Sequence, residues 1–369
     1  VRCGGEAGGD AEGQEAVTFA AVDLFAGPGG WDLGARALGL STLGIEWDVF
    51  TVRTRHAAGL PTVRADVAKR DFSPTEGLIG SPPCQPFSRA GKGRGLEDLE
   101  KILFGIVDLV TGNGRGRDFA DYRTELVLQP LRWALQAIDA GVPYRWIVLE
   151  QVPSVLPVWR SIARELRFEG YSVVTGVVNS ECFGVAQTRE RAVLIASLDR
   201  RVHLPVPTHS KYHRRHPEQL DPGVLPWVSM AQALGWDTDS EVMVGFARRA
   251  DGRGGATQEG YRTRDFRGSE VPAQVVTAKA RSWDWVGERP ATTLVGTFRP
   301  HIISAPGWRT DTSRQNEEGS VAVTIEEAAV LQGFPADYPW RGPRTQIFQQ
   351  IGNAIPPPMA KAVLEVVRS

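Results

Sequence analysis

Thr18-Phe19-Ala20-Ala21-Val22-Asp23-Leu24-Phe25-Ala26-Gly27-Pro28-Gly29-Gly30 reads as a β-strand that runs out into a glycine-rich turn, with a helix opening at Gly30. Glycines at such a junction let the backbone turn sharply and let a ligand approach it closely. The spacing Gly27-Pro28-Gly29-Gly30 departs from the dinucleotide fingerprint, which favours a different adenosine-bearing ligand. By itself such a turn suits many nucleotide binders, so its neighbours must decide.

Outward from this turn, short apolar runs alternate with helical patterns, the signature of an α/β fold with a mostly parallel sheet covered on both faces. Strands are expected at 18–24, 42–45, 77–80, 146–149, 173–178 and 192–196, and helices at 30–40, 49–58, 122–140 and 154–169. In the helix over 122–140, Leu128, Leu131, Ala134, Leu135 and Ile138 recur at nearly helical spacing. From about residue 200 to 320 the pattern breaks into short pieces rich in Pro, Gly and Trp, which marks a second, smaller domain. Regular structure returns at 325–332 and 356–367. The expected organisation is a mobile tail (1–16), a large α/β domain (17–199), a smaller domain (200–320) and a segment that returns to the first domain (321–369).

Asp23, Glu46 and Asp66 stand at the ends of three successive strands. A carboxylate after the second strand suits ribose hydroxyls, one after the third suits an adenine amino group, and Trp47 offers a flat apolar face for a purine. Singly, each acid would serve as a helix cap or a surface charge. Together they point to an adenosine site.

Composition excludes several classes. At 42% hydrophobic and 23% charged the chain is ordinarily globular, with no run long enough to span a bilayer. Residues 1–16 have no apolar stretch and do not form a secretory signal. Three cysteines (Cys3, Cys84, Cys182) without paired spacing argue against disulfides or a zinc site and fit a reducing cytoplasm. The net charge of −1 opposes a nucleic-acid partner, but local potential matters more than the total. Residues 245–310 hold eleven Arg and Lys against six Asp and Glu, which favours a phosphate-facing surface there.

Gly80-Ser81-Pro82-Pro83-Cys84-Gln85-Pro86-Phe87-Ser88 places one cysteine on a proline-stiffened loop just after an apolar strand. Prolines restrict their own φ and their neighbours, so such a loop presents a thiol as a positioned nucleophile. Further on come Leu149-Glu150-Gln151-Val152, Gln187-Thr188-Arg189-Glu190-Arg191 and Gly352-Asn353-Ala354-Ile355-Pro356-Pro357. In this order, the glycine-rich turn and these four blocks resemble the DNA (cytosine-5)-methyltransferase family over almost the whole chain.

The resemblance implies a Rossmann-like S-adenosylmethionine-dependent methyltransferase sheet with a smaller, irregular target-recognition domain. It implies S-adenosylmethionine as cofactor, at Phe25, Gly27, Gly29, Gly30, Glu46, Trp47, Asp66, Pro83 and Asn353. Cys84 is then the nucleophile that adds to carbon 6 of a flipped-out cytosine, because carbon 5 is otherwise a poor nucleophile. A free thiol titrates near ~8.5 and needs neighbouring positive charge or donors to react at neutral pH. Glu150, at the end of an apolar strand, is expected to bind the base edge as an acid, with burial raising its pKa. Arg189 and Arg191 are expected to orient the base carbonyl, the phosphate and Glu150. The loop Gly91-Lys92-Gly93-Arg94-Gly95 is expected to close over the extruded nucleotide. Double-stranded DNA is the implied partner of a monomer without membrane attachment, with a cognate restriction endonuclease as a companion.

Two positions depart from the family pattern: Gln151 replaces the usual Asn after the Glu, and Pro82 replaces an aromatic. Competing readings are a tRNA cytosine methyltransferase, a catalytically silent DNA-binding regulator and a nicotinamide oxidoreductase. The last leaves the cysteine loop unexplained. Cys3 and Cys182 are assigned no role.

Overall fold

The computed structural model of the chain describes residues 19–83, 99–112, 122–213, 216, 218–235, 291–292 and 324–368. At its centre seven strands form one sheet: β1 (Ala21–Leu24), β2 (Thr42–Glu46), β3 (Thr62–Arg64), β4 (Gly77–Gly80), β5 (Trp146–Gln151), β6 (Ser172–Asn179) and, after the short β7 (Gln187–Thr188), β8 (Glu190–Ser197). The spatial order is β3-β2-β1-β4-β5-β8-β6. Strands β1 to β5 are mutually parallel, whereas β8 runs antiparallel to both of its neighbours, β5 and β6. β7 pairs separately with β9 (Ala291–Thr292).

The helices explain why the strands read as unbroken apolar runs. Along β5, Ile147 and Leu149 join Trp133, Ala134, Trp159 and Ile162 on one face. Trp146 and Val148 join Trp31, Met359, Val363 and Leu364 on the other. A strand alternates sides residue by residue, so a sheet buried on both faces needs apolar residues at every position. The first face is covered by α3 (Leu99–Thr111), α4 (Gln129–Asp139) and α5 (Leu156–Phe168); α1 (Gly30–Arg36) and the last helix cover the second. The remaining helices are α2 (Val49–Ala57), α6 (Met230–Leu234), α7 (Ile325–Leu331), α8 (Arg344–Asn353) and α9 (Pro357–Arg368).

The expected strands are all present, with ends shifted by one to a few residues where residues are described. The expected helix over 122–140 is divided. Tyr122–Leu128 is a 3-10 turn, and the α-helix begins only at Gln129, with Pro130 in its first turn, where a missing N–H leaves no bond unmade.

α9 lies against α1 at unusually close range. A Cβ on Gly30 would stand 2.1 Å from the Ile355 carbonyl oxygen, and one on Gly34 2.7 Å from the Lys361 nitrogen. Two glycines on one face of α1 thus let the end of the described chain reach the start of the sheet. Ahead of α9, a capping box between Thr324 and Glu327 opens α7. Phe334, Tyr338 and Trp340 pack edge-to-face or tilted against one another beside it, and the Tyr338 hydroxyl donates to the Pro28 carbonyl.

Candidate active site

In the order β3-β2-β1-β4-β5 the chain leaves β1 toward one side and returns on the other, so a crevice opens past the ends of β1 and β4. A cavity of about 490 Å³ occupies that place. Its rim begins at Phe25, whose φ of 60° is left-handed, a conformation that costs a non-glycine residue of order 1–3 kcal/mol. The turn is held against that cost from several directions. Ala26 N–H donates to the Ile45 carbonyl at 3.1 Å and Gly27 N–H to Glu46 Oε2 at 2.9 Å. Gly27 itself has φ 55°.

Phe25, Gly27 and Gly30 line the cavity, and Gly29 does not. A Cβ on Gly29 would lie 2.3 Å from Leu60 Cδ1 and 2.8 Å from the Tyr338 hydroxyl. With its φ of 112°, which L side chains rarely adopt, that position favours glycine on backbone grounds as well as for space.

Glu46 closes β2 and faces the cavity. Its Oε1 accepts from the N–H groups of Trp47 and Asp48 at 2.7 and 2.8 Å. Burial pushes this carboxyl up, against the pull of those backbone donors and of Arg55. Trp47 lines the same wall and is 65% exposed, with its ring free to take a flat partner. Asp48 caps α2 through Thr51. Asp66 lines the cavity too and caps the 3-10 turn Val67–Lys69, accepting from Ala68 N–H at 3.0 Å. Arg132 and Trp133 of α4 fix that turn by donating to the Val67 carbonyl. The cap expected of a lone acid and a place on the cavity wall are thus compatible in Asp66.

The opposite wall carries Glu150, Gln151, Arg189 and Arg191. Glu150 on β5 and Arg191 on β8 form an ion pair at 2.8 Å, with side chains 6% and 7% exposed. Arg189 is held from the C-terminal segment. Its Nη1 donates to the Gly352 carbonyl at 2.9 Å, next to Asn353, which also lines the cavity. Gln151, the departure from the expected Asn, donates Nε2 to the Pro82 carbonyl at 2.6 Å and accepts from Val152 N–H. Trp31 Nε1 donates to Ser81 Oγ at 2.8 Å. The stem of the cysteine loop is therefore held at Ser81 and Pro82, and Pro83 is a further lining residue. Cys84 follows Pro83 in the chain and lies outside the described residues, as do Ser88, the 91–95 loop and most of the basic 245–310 segment. Cys182 is elsewhere, and burial pushes its thiol up to about 12, which leaves it protonated.

Sequence reasoning missed a buried group beneath the turn. Arg55 of α2 is fully buried and paired with Asp32 of α1 at 2.8 Å. Arginine is ordinarily exposed, and neither residue stands in a recognisable motif, so no local signal marks them. It also missed the amide-rich wall of Gln346, Gln349 and Gln350 on α8. Their i, i+3, i+4 spacing ahead of Gly352-Asn353 was a usable signal.

The C-5 cytosine-specific DNA methylase family model matches residues 19–114 and 113–369. The chain belongs to that family. It is a DNA cytosine-5-methyltransferase, with S-adenosylmethionine as the methyl donor. Among similar methylases, the type II methyltransferase M1.HphI of Haemophilus parahaemolyticus is 25% identical over 94% of this chain and 86% of its own length. Type II methyltransferase M.AplI of Arthrospira platensis is 26% identical over 94% and 85%. Two solved methyltransferase structures share the fold. S. pombe Dnmt2 has a TM-score of 0.58 at 14% identity, covering 95% of this chain and 98% of its own. EhMeth of Entamoeba histolytica has a TM-score of 0.55 at 12% identity, with the same coverage.

The cavity suits the methylase cofactor in its donor set: two carboxylates for hydroxyl and amino groups, an indole face, and a turn without side chains at Gly27. Among the described residues, no helix is long and apolar enough to cross a membrane.

Proposed function

We propose that this methylase modifies a flipped-out cytosine of double-stranded DNA through a covalent bond to Cys84, with Glu150 and Arg191 on the opposite edge of the base. S-adenosylmethionine, when bound, supplies an electrophilic methyl group at its sulfonium. Phe25, Gly27, Gly30, Glu46, Trp47, Asp66, Pro83 and Asn353 would hold it, with Gly29 shaping the turn from below. The Cys84 thiolate adds to carbon 6 while Glu150 delivers a proton to ring nitrogen 3, so no full negative charge develops on the ring. Carbon 5 thereby becomes nucleophilic and takes the methyl. Loss of the carbon-5 proton to solvent, return of the nitrogen-3 proton to Glu150 and departure of the Cys84 sulfur as thiolate restore aromaticity and both side chains. Arg191 keeps the Glu150 carboxyl aimed across the cavity, and Arg189 keeps the Asn353 segment against it.

One observation carries this reading: the Glu150–Arg191 pair, the clamped stem that leads into Cys84, and the Glu46–Trp47–Asp66 wall all open on one cavity. The type II relatives support a restriction–modification setting; a cognate endonuclease as companion, and the reading of a short recognition sequence by residues 200–320, belong to the same proposal. We take the active form to be a cytoplasmic monomer.

Duplex DNA with 5-fluorocytosine at the target position tests the chemistry, because fluorine at carbon 5 blocks the final elimination. A denaturation-resistant complex of protein and DNA is expected for the native chain and none for Cys84→Ser. An adduct that survives Cys84→Ser assigns the nucleophile elsewhere.

A further inference from the structure

We propose that Arg55 is a positioning residue for cofactor binding: locked on Asp32, its guanidinium holds the Ala26 and Gly27 carbonyls and so fixes the turn whose other face meets S-adenosylmethionine. This inference rests on the placement of the cofactor in the cavity past β1.

Every guanidinium nitrogen is engaged. Nε donates to Thr62 Oγ1 at 2.9 Å. Nη1 donates to Asp32 Oδ2 at 2.8 Å and lies 3.2 and 3.3 Å from the Ala26 and Gly27 carbonyl oxygens. Nη2 donates to Asp32 Oδ1 at 2.9 Å and to the Pro61 carbonyl at 3.3 Å. Asp32 in turn accepts from Thr42 Oγ1 at 2.7 Å. One side chain therefore ties the turn to α1, to β2 and to the approach to β3. The seat is shaped for it, since a Cβ on Gly44 would stand 1.9 Å from Nη2.

A stability role explains this poorly. Buried ion pairs gain little over apolar residues of equal volume, because desolvating both charges offsets their attraction. A guanidinium whose fork grips Asp32 while Nη1 also meets two successive carbonyls does something apolar packing cannot do. It fixes the plane of the peptides, while Glu46 fixes the same turn through Gly27 N–H. Burial opposes the charge on Arg55, yet Asp32, Asp23 and Glu46 outweigh it and hold the guanidinium ionised. Lysine cannot replace this arrangement, having a point charge and no planar fork.

The test is calorimetric titration of the DNA-free protein with S-adenosylhomocysteine, beside steady-state kinetics. For Arg55→Lys we expect affinity to fall about tenfold, the loss of roughly 1.4 kcal/mol expected when bonds to two carbonyls are removed. The KM for S-adenosylmethionine should rise with it, while kcat at saturation and the KM for DNA stay within about threefold, the pattern of lost uniform binding. A purely structural pair would lower the melting temperature and leave the affinity of the folded fraction unchanged, and that result overturns the proposal. If Arg55→Lys does not fold, Asp32→Asn decides. Weakening of about threefold or more supports the inference, and unchanged affinity rejects it. Glu46→Ala separates the two ideas, because native affinity in that variant removes the cofactor from this cavity altogether. Weak binding by Glu46→Ala with native binding by Arg55→Lys rejects only the role of Arg55.

Discussion

Arg191 Nε stands 2.8 Å from Glu150 Oε1, the two residues lying on neighbouring strands that run in opposite directions. Glu150 lies next to the end of β5 and Arg191 next to the start of β8, so the antiparallel pairing brings both to one end of the sheet. Glu150→Gln keeps the shape and removes the acid. We expect kcat to fall by roughly 10²–10⁴, the usual contribution of a positioned acid, with cofactor affinity little changed. Single-turnover methylation with a tritiated donor measures this, and a near-native rate would assign protonation to another group.

Removing the partner should act on stability as well. Arg191→Ala leaves a buried carboxylate uncompensated, at a cost of about 3–5 kcal/mol. Urea denaturation should show that loss alongside inactivity. An inactive variant of native stability would mean that Arg191 serves the base alone.

Gln151 holds the Pro82 carbonyl two residues before Cys84. Gln151→Ala should reduce kcat by about tenfold through a loosened loop stem, while costing only around 1 kcal/mol of stability. Kinetics and thermal melts on one preparation separate these effects, and equal kcat would make the clamp dispensable.

Trp47 exposes most of its ring into the cavity mouth. Replacement by Ala should weaken S-adenosylhomocysteine binding by about ten- to a hundredfold, in line with roughly 1–3 kcal/mol per stacked base. Fluorescence quenching of the native protein on titration gives an independent readout; an unquenched indole would place the purine elsewhere.

Glu181, in the 3-10 turn Ser180–Phe183, is buried, and its Oε2 has no hydrogen-bond partner among the described residues. Burial pushes its carboxyl up from 4.5 to about 7, with Glu190 adding to this and Lys211 opposing it. The folded chain therefore binds this proton more tightly than the unfolded chain. The resulting stability is complete below about pH 4.5 and is lost as pH rises through about 7, a change on the order of 3 kcal/mol. Glu181→Gln should be more stable than the native chain at about pH 8 and similar at about pH 4.5. Parallel melting curves for the two proteins would refute the assignment.

What the sequence disclosed depended on local pattern. The strand, turn and helix around Gly27 combine apolar runs with glycine punctuation, and Glu46 closes the readable apolar run of β2, so these were legible. β3 has only three residues, two of them half-buried, and offers too little periodicity to identify. α3 had a readable stripe in Ile102, Leu103, Ile106 and Leu109, but an apolar run of that length reads equally as a strand. The insertion of β8 between β5 and β6 is a long-range outcome that no window contains. The Arg55–Asp32 pair was invisible for a related reason. A buried charge becomes tolerable only through partners from other elements, here Ala26, Pro61 and Thr62.

The close contact of Ile355 with Gly30 has a consequence for biosynthesis. One wall of the cavity is made about three hundred positions after the other, so a nascent chain still short of Ile355 lacks a complete pocket. Methyl transfer must await translation beyond that residue, and fragments truncated ahead of α8 should be silent however well their sheet has formed.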